Sequence, residues 1–353
     1  MKKVSLAVSL AALALAACQQ GGSNGGGGGQ GGARDQIRVV GSSTVYPFAT
    51  AVAEQFVRNN PSFKAPIVES TGTGAGMKLF CAGVGAGHPD IENASRRIKK
   101  SEFDDCRKNG VNNIVEVPIG IDGIAFIEGK NGAAMNLTQA DIYRALAANP
   151  FGKGPNTAKT WKDVDPSLPA IAIRVYGPPP TSGTRDAFAE LILEKGCESD
   201  PAMKALKEKD KDRHKDLCTK IREDGAYVEA GENDNLLVQK VAANEGAIGI
   251  LGYSFLEENA DKVRGITLAG VAPTAETIST FAYPGARPLY IYVKGEHLSA
   301  IPGIREYVAE FAKGWGPGGY LARRGLIASP ADKLEAQAQA AKDLKPMTAD
   351  GLK

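Results

Sequence analysis

From about residue 35 onward, short apolar runs alternate with longer stretches in which apolar residues recur every three or four positions. The runs at 37–40, 67–69, 114–117, 123–128, 171–175, 247–251 and 289–293 read as strands. Between them, 48–57, 77–82, 138–147, 185–195, 236–243 and 304–314 carry helical spacing. A short strand also precedes Ser95. This alternation predicts an α/β protein of mixed sheets with helices on both faces. Roughly 320 residues suffice for two domains with cores of their own. No internal repeat and no second long apolar span interrupts the pattern.

The first residues break it. Lys2 and Lys3 precede an apolar stretch, Val4 to Ala17, that is too short to span a bilayer as a helix, and Leu15-Ala16-Ala17 leads into Cys18. The pattern predicts a lipoprotein signal peptide at 1–17, cut before a lipidated Cys18. Residues 18–34 then form a Gly-rich tether with a reach of roughly 20 Å. The mature protein is expected outside the cytoplasm, periplasmic or at the cell surface, lipid-anchored to a membrane.

Charge and cysteines refine the class. Of 42 basic residues, the leader removes two, leaving 40 against 40 acidic ones. A neutral chain without a clustered basic excess argues against nucleic acid as a partner. Lys204 to Lys220 is lysine-rich but interleaved with Glu208, Asp210, Asp212 and Asp216, and reads as a solvated helix or loop. With Cys18 lipidated, Cys81, Cys106, Cys197 and Cys218 form an even set suited to an oxidising compartment. The two local pairs lie far apart, which favours Cys81–Cys106 and Cys197–Cys218. Lacking a Cys-x-x-Cys, and with His88, His214 and His297 as the only histidines, the chain is expected to use neither metal nor cofactor.

Candidate chemistry lies where strands give way to Gly, Ser and Thr. In Gly41-Ser42-Ser43-Thr44-Val45-Tyr46-Pro47-Phe48, Ser43 or Thr44 can cap a helix whose first turn suits Pro47. Ser70-Thr71-Gly72-Thr73-Gly74-Ala75-Gly76 lets backbone approach a ligand closely, and Thr181-Ser182-Gly183-Thr184-Arg185 adds a capping Ser182 and a forked cation. Three donor-rich helix starts point to anion binding. Asn93-Ala94-Ser95-Arg96-Arg97 supplies a further hydroxyl and guanidinium groups suited to a tetrahedral oxyanion.

In order and form these segments resemble the phosphate-binding proteins of ABC phosphate importers, the PstS type. Asn235-Leu-Leu-Val-Gln-Lys-Val-Ala and Gly246-Ala-Ile-Gly-Ile-Leu-Gly-Tyr253 extend the resemblance to nearly the whole mature chain. It implies a two-lobed periplasmic-binding-protein fold of type II, with lobe one at 35–117 and 247–353, lobe two at 118–246, and phosphate in the cleft between them. Carried over by position, the phosphate donors are Ser43, Thr44, the Val45 amide, Thr73, Ser95, Arg96, Ser182, Gly183, Thr184 and Arg185. Arg96 and Arg185 are expected to reach the anion from opposite lobes. The implied partners are phosphate and the importer's permease subunits, and the implied state is a monomer without enzymatic activity.

Two departures stand out. Arg96 occupies the place of an aspartate that accepts the proton of hydrogen phosphate in the best-known family pattern. Gly177-Pro178-Pro179-Pro180 replaces an arginine. Asp122 is the candidate replacement acceptor. The rival readings are a secreted phosphatase or other hydrolase with Ser43 or Ser182 as nucleophile, a binder of another oxyanion, and a phosphate-sensing module. Neither serine sits in Gly-x-Ser-x-Gly, and no Gly-x-x-x-x-Gly-Lys-Ser/Thr loop is present.

Overall fold

The structure is a computed structural model that describes residues 34–352 apart from 181 and 232. The expected signal peptide, Cys18 and the tether up to residue 33 lie outside the described residues. Eleven strands are described: β1 Arg38–Gly41, β2 Ile67–Ser70, β3 Ile91–Ala94, β4 Ile114–Gly129, β5 Asn136–Leu137, β6 Val175–Gly177, β7 Tyr227–Glu229, β8 Ile248–Gly252, β9 Val263–Gly265, β10 Thr267–Leu268 and β11 Ala286–Lys294. Nine of them form one mixed sheet in the order β2-β1-β3-β11-β4-β8-β6-β7, with β9 also on β4; β5 and β10 pair separately.

Side-chain alternation shows why helices cover both faces. Along β11, Leu289, Ile291 and Val293 enter a core with Phe48, Val52, Phe56, Tyr307 and Phe311, from the helices Tyr46–Asn59 and Ile304–Gly314. Tyr292, of opposite parity, enters a core with Met77, Phe80 and Phe103 on the other face. Farther along β4, Ile124 and Phe126 pack with Phe188, Ile248 and Ile250, whereas Ala125 and Ile127 pack with Leu237, Val241 and Leu251. The period-2 pleat thus feeds two cores in each half of the sheet. The expected α/β fold with helices on both faces is borne out.

The two strands expected at 114–117 and 123–128 are one 16-residue strand. Its first part pairs antiparallel with β11, and its second part with β8 and β9. Pro118 and Gly120 make the sequence read as a break. In the structure they flank a bulge, where Leu289 faces Gly120 and Tyr290 faces Pro118, so the missing proline N–H is tolerated. Val117 and Ile119 lie in one core and Ile121 and Ile124 in the other, so the division between halves falls near Gly120.

The sequence reading returned the chain to the first half at 247. In the structure, residues 247–283 stay with the second half. β8 pairs with β6 and the far part of β4, and Ile248, Ile250, Ile266, Ile278 and Tyr283 share a core with Phe126 and Phe188. The return is made on β11. The run expected as a strand at 171–175 contributes only its last residue to β6; Ile171 and Ile173 instead bond to Trp161 and Lys159. Cys81–Cys106 and Cys197–Cys218 are paired as expected.

Candidate functional site

Backbone hydrogen bonds gather the early turns. The Ser42 amide donates to the Asn93 carbonyl at 2.7 Å, and the amides of Thr71 and Gly72 both donate to the Gly41 carbonyl at 2.8 Å. Gly41 has φ +127°, and a Cβ there would stand 2.2 Å from the Asn93 carbonyl oxygen, so the approach of β1 to β3 requires glycine. The helix Tyr46–Asn59 has no side-chain cap, so neither Ser43 nor Thr44 caps it as expected; Ser42 instead braces the turn before it. Ser42 Oγ accepts from the Thr44 amide at 3.2 Å and the Val45 amide at 3.4 Å. This frees the next two hydroxyls to point away from their own helix.

Those hydroxyls cross to the second half of the sheet. Ser43 Oγ donates to Asp186 Oδ2, and Thr44 Oγ1 donates to the Gly183 carbonyl at 3.0 Å. Gly183 opens the short helix Gly183–Ala187, and Ser182 caps it by accepting from the Thr184 amide at 3.2 Å, as expected. A Cβ on Gly183 would lie 2.5 Å from the Thr44 N and Cα, so this contact also demands glycine. Thr73 and Ser95 meet through their hydroxyls at 3.0 Å, and the Ser95 amide donates to Thr73 Oγ1. Both residues are buried.

The expected arginines are engaged elsewhere. Arg96 forms a bidentate pair with Glu102 at 2.7 and 2.9 Å. Arg185 donates to the Pro178 carbonyl at 3.1 Å and lies over the Tyr227 ring at 4.7 Å. The guanidinium at the junction of the two halves belongs to Arg287, which the sequence reading missed. It is 3% exposed, and its Nη2 donates to Thr44 Oγ1 and, at 3.4 Å, to the Gly183 carbonyl. Its Nε meets Asp122 at 3.2 Å and its Nη1 meets Glu190 at 3.1 Å. The signal available was an arginine opening the apolar strand β11 directly across from Asp122.

Three carboxylates therefore surround the junction: Asp122, Asp186 and Glu190. Burial raises the pKa of Glu190, against the opposing pull of Arg287 and Arg96. Glu190 sits in the π-helical stretch Phe188–Leu193, a distortion that recurs at functional sites. Behind the first turn, Glu92 is completely buried and neither carboxylate oxygen has a hydrogen-bond partner among the described residues. Burial drives its pKa well above the usual carboxylate range, which favours the neutral acid. Hydroxyls, one buried guanidinium and nearby acceptors together suit an oxyanion that still carries a proton.

Residues 27–314 match the family described as PBP superfamily domain. The chain belongs to the PBP superfamily. Among the relatives of this PBP chain, Protein SphX of Synechococcus elongatus is 34% identical over 306 residues, covering 85% of this chain and 79% of the relative. Phosphate-binding protein PstS of Staphylococcus saprophyticus is 31% identical, covering 84% and 81%. A crystal structure described as a possible phosphate binding protein from Planctomyces limnophilus superposes with TM-score 0.69 at 29% identity, over 88% of this chain and 98% of that one. The resemblance to phosphate-binding proteins of ABC importers, read from the four motifs, is borne out by these relatives. Among the described residues of the PBP chain, no helix is long and apolar enough to cross a membrane.

Proposed function

We propose that the protein binds inorganic phosphate between two lobes and delivers it to the membrane subunits of an ABC importer. The observation that carries this reading is the junction at Thr44, where a hydroxyl from the first turn meets the Gly183 helix start and the Arg287 guanidinium. The names of the SphX and PstS relatives and of the superposed structure support phosphate as the ligand. Lobe one comprises residues up to about 119 together with those from about 289 onward. Lobe two comprises 121–283, following the two groups of cores.

Ser43, Thr44, Thr73, Ser95, Ser182, Gly183, Thr184 and Arg287 form the donor set in this proposal. Arg287 takes the role expected of Arg96 and Arg185, because its guanidinium touches Thr44 and Gly183 at the junction, whereas Arg96 turns to Glu102 and Arg185 to Pro178 and Tyr227. Asp122, Asp186 and Glu190 are the acceptors available to a protonated phosphate. Such an acceptor repels a fully ionised anion, which favours hydrogen phosphate over sulfate. Donors on both lobes make the ligand bind the closed form better than the open one, which couples binding to closure.

The protein holds its ligand without turnover. Ser43 Oγ donates to the Asp186 carboxylate and the Ser182 hydroxyl is occupied as a helix cap, so among the described residues neither is paired with an imidazole or amine base. Cys18 carries the lipid, the protein acts outside the cytoplasm, and it works as a monomer. Isothermal titration with phosphate, sulfate and a phosphate ester tests the reading. One phosphate bound per chain, with sulfate and ester much weaker, is the expected result; equal binding of sulfate would replace phosphate by a general oxyanion.

A further inference from the structure

Away from the Thr44 junction, three metal-ligating side chains converge in the second half of the molecule. Oxygen or nitrogen atoms of Glu194, Glu198 and His214 all lie within 4.8 Å of one another. Glu194 opens the short helix Glu194–Cys197 and Glu198 follows it, so the two carboxylates are one helical turn apart on one face. His214 comes from the helix Lys211–Thr219. It is 3% exposed, and its Nε2, 3.8 Å from Glu198 Oε1, has no hydrogen-bond partner among the described residues. A buried imidazole nitrogen aimed at a carboxylate pair and left unsatisfied costs free energy unless something fills the gap.

The disulfide holds this geometry from both sides. Cys197 is next to Glu198, and its partner Cys218 is one turn beyond His214 on the same helix. The ligands are therefore fixed relative to one another by a covalent link. A positive charge already sits there: Lys207 Nζ bonds Glu194 Oε1 and, at 2.6 Å, Glu198 Oε1. Burial works to lower the Lys207 pKa, but its bonds to the two carboxylates outweigh this and raise it. Its side chain is 38% exposed, so the ammonium can swing into solvent on its flexible stem.

We propose that Glu194, Glu198 and His214 form a binding site for one divalent transition-metal ion of the Zn²⁺ class, and that Lys207 is the resident cation that the metal displaces. One imidazole nitrogen with two carboxylates suits a borderline ion and not Ca²⁺, which takes oxygen ligands in larger number. A tetrahedral ion with bonds of about 2.0–2.1 Å sets its ligand atoms roughly 3.4 Å apart, so the 3.8 Å between His214 and Glu198, and the other spacings within 4.8 Å, close by side-chain shifts of about 1 Å. The ion would replace one positive charge with two between the same carboxylates and satisfy His214 Nε2. The sequence carries no close Cys and His spacing that would signal such a site. His214 lies 16 residues from Glu198 and joins the two carboxylates only through the fold.

The test is titration of the protein with ZnCl₂ in phosphate-free buffer, by calorimetry and by the visible absorption of Co²⁺ as a spectroscopic substitute. One equivalent should bind the parent, Ca²⁺ should not compete, and His214→Ala should abolish the Co²⁺ band. Lys207→Met, which removes the competing ammonium, should bind at least tenfold more tightly. Circular dichroism shows whether each variant is folded; if His214→Ala does not fold, Glu194→Gln serves in its place. The proposal falls if neither parent nor Lys207→Met takes up one saturable equivalent, if uptake is unchanged in the ligand variant, or if Lys207→Met alone binds. Phosphate titration of the same variants should be unaltered, which keeps this result separate from the anion site.

Discussion

Thr44 and Arg287 meet through Oγ1 and Nη2, although 243 residues separate them, and the same hydroxyl donates to the Gly183 carbonyl. One side chain of the first turn thereby ties β11 to the helix start of the other half. The contact places the buried guanidinium beside the hydroxyls proposed to bind phosphate.

Arg287→Ala is expected to weaken phosphate binding by roughly 30-fold or more, since removing one partner of a desolvated charged contact costs about 2–5 kcal/mol. Arg96→Ala is expected to change affinity by less than about threefold, because its guanidinium is directed to Glu102 and not to the Thr44 junction. Calorimetric titration of both variants decides between them; the reverse order would restore Arg96 as the binding cation.

Gly183→Ala introduces a Cβ that would stand 2.5 Å from Thr44 backbone atoms. The halves could then not approach as they do. Phosphate affinity should drop by about tenfold or more while far-ultraviolet circular dichroism stays that of the parent. Unchanged affinity would show that this contact is not part of the bound state.

Ser43→Ala should lower phosphate affinity, and neither it nor the parent should release phosphate from a generic phosphoester. Steady turnover that Ser43→Ala or Ser182→Ala removed would instead make the protein a hydrolase.

Glu92 gives the fold a pH dependence. Its folded pKa is raised well above the ordinary value of 4.5, so the native state keeps a proton that the unfolded chain releases. Stability from this group is therefore full below about 4.5 and declines as pH rises from there toward the raised folded value. Glu92→Gln should flatten that decline in urea melts recorded from pH 4.5 upward. A parent-like slope in the variant would contradict the assignment.

Reduction of the disulfides should lower the unfolding midpoint, with each local loop worth on the order of 3 kcal/mol. Cys197→Ser with Cys218→Ser should lose that amount in a denaturant titration and leave phosphate binding intact.

Much of this was legible along the chain. The alternation of apolar runs with helical spacing reports which faces are buried, so the α/β class, the helices on both sheet faces and the donor-rich turns at Ser42–Val45, Thr73 and Ser182–Arg185 follow from local pattern. Cysteine spacing favoured the two local disulfides for the same reason. What local pattern does not carry is partner choice across long loops. A proline and glycines made β4 read as two strands, and only its pairing with β11 and β8 joins them into one. Arg96 follows the four-residue strand β3, and Arg287 lies at the start of the nine-residue β11. Arg96 finds Glu102 six residues away, whereas Arg287 finds Thr44, Gly183 and Glu190 only because β11 returns beside β4. Composition sets which residues must be buried and which can donate; the tertiary pairing of distant strands decides which donor is brought to the junction of the two halves.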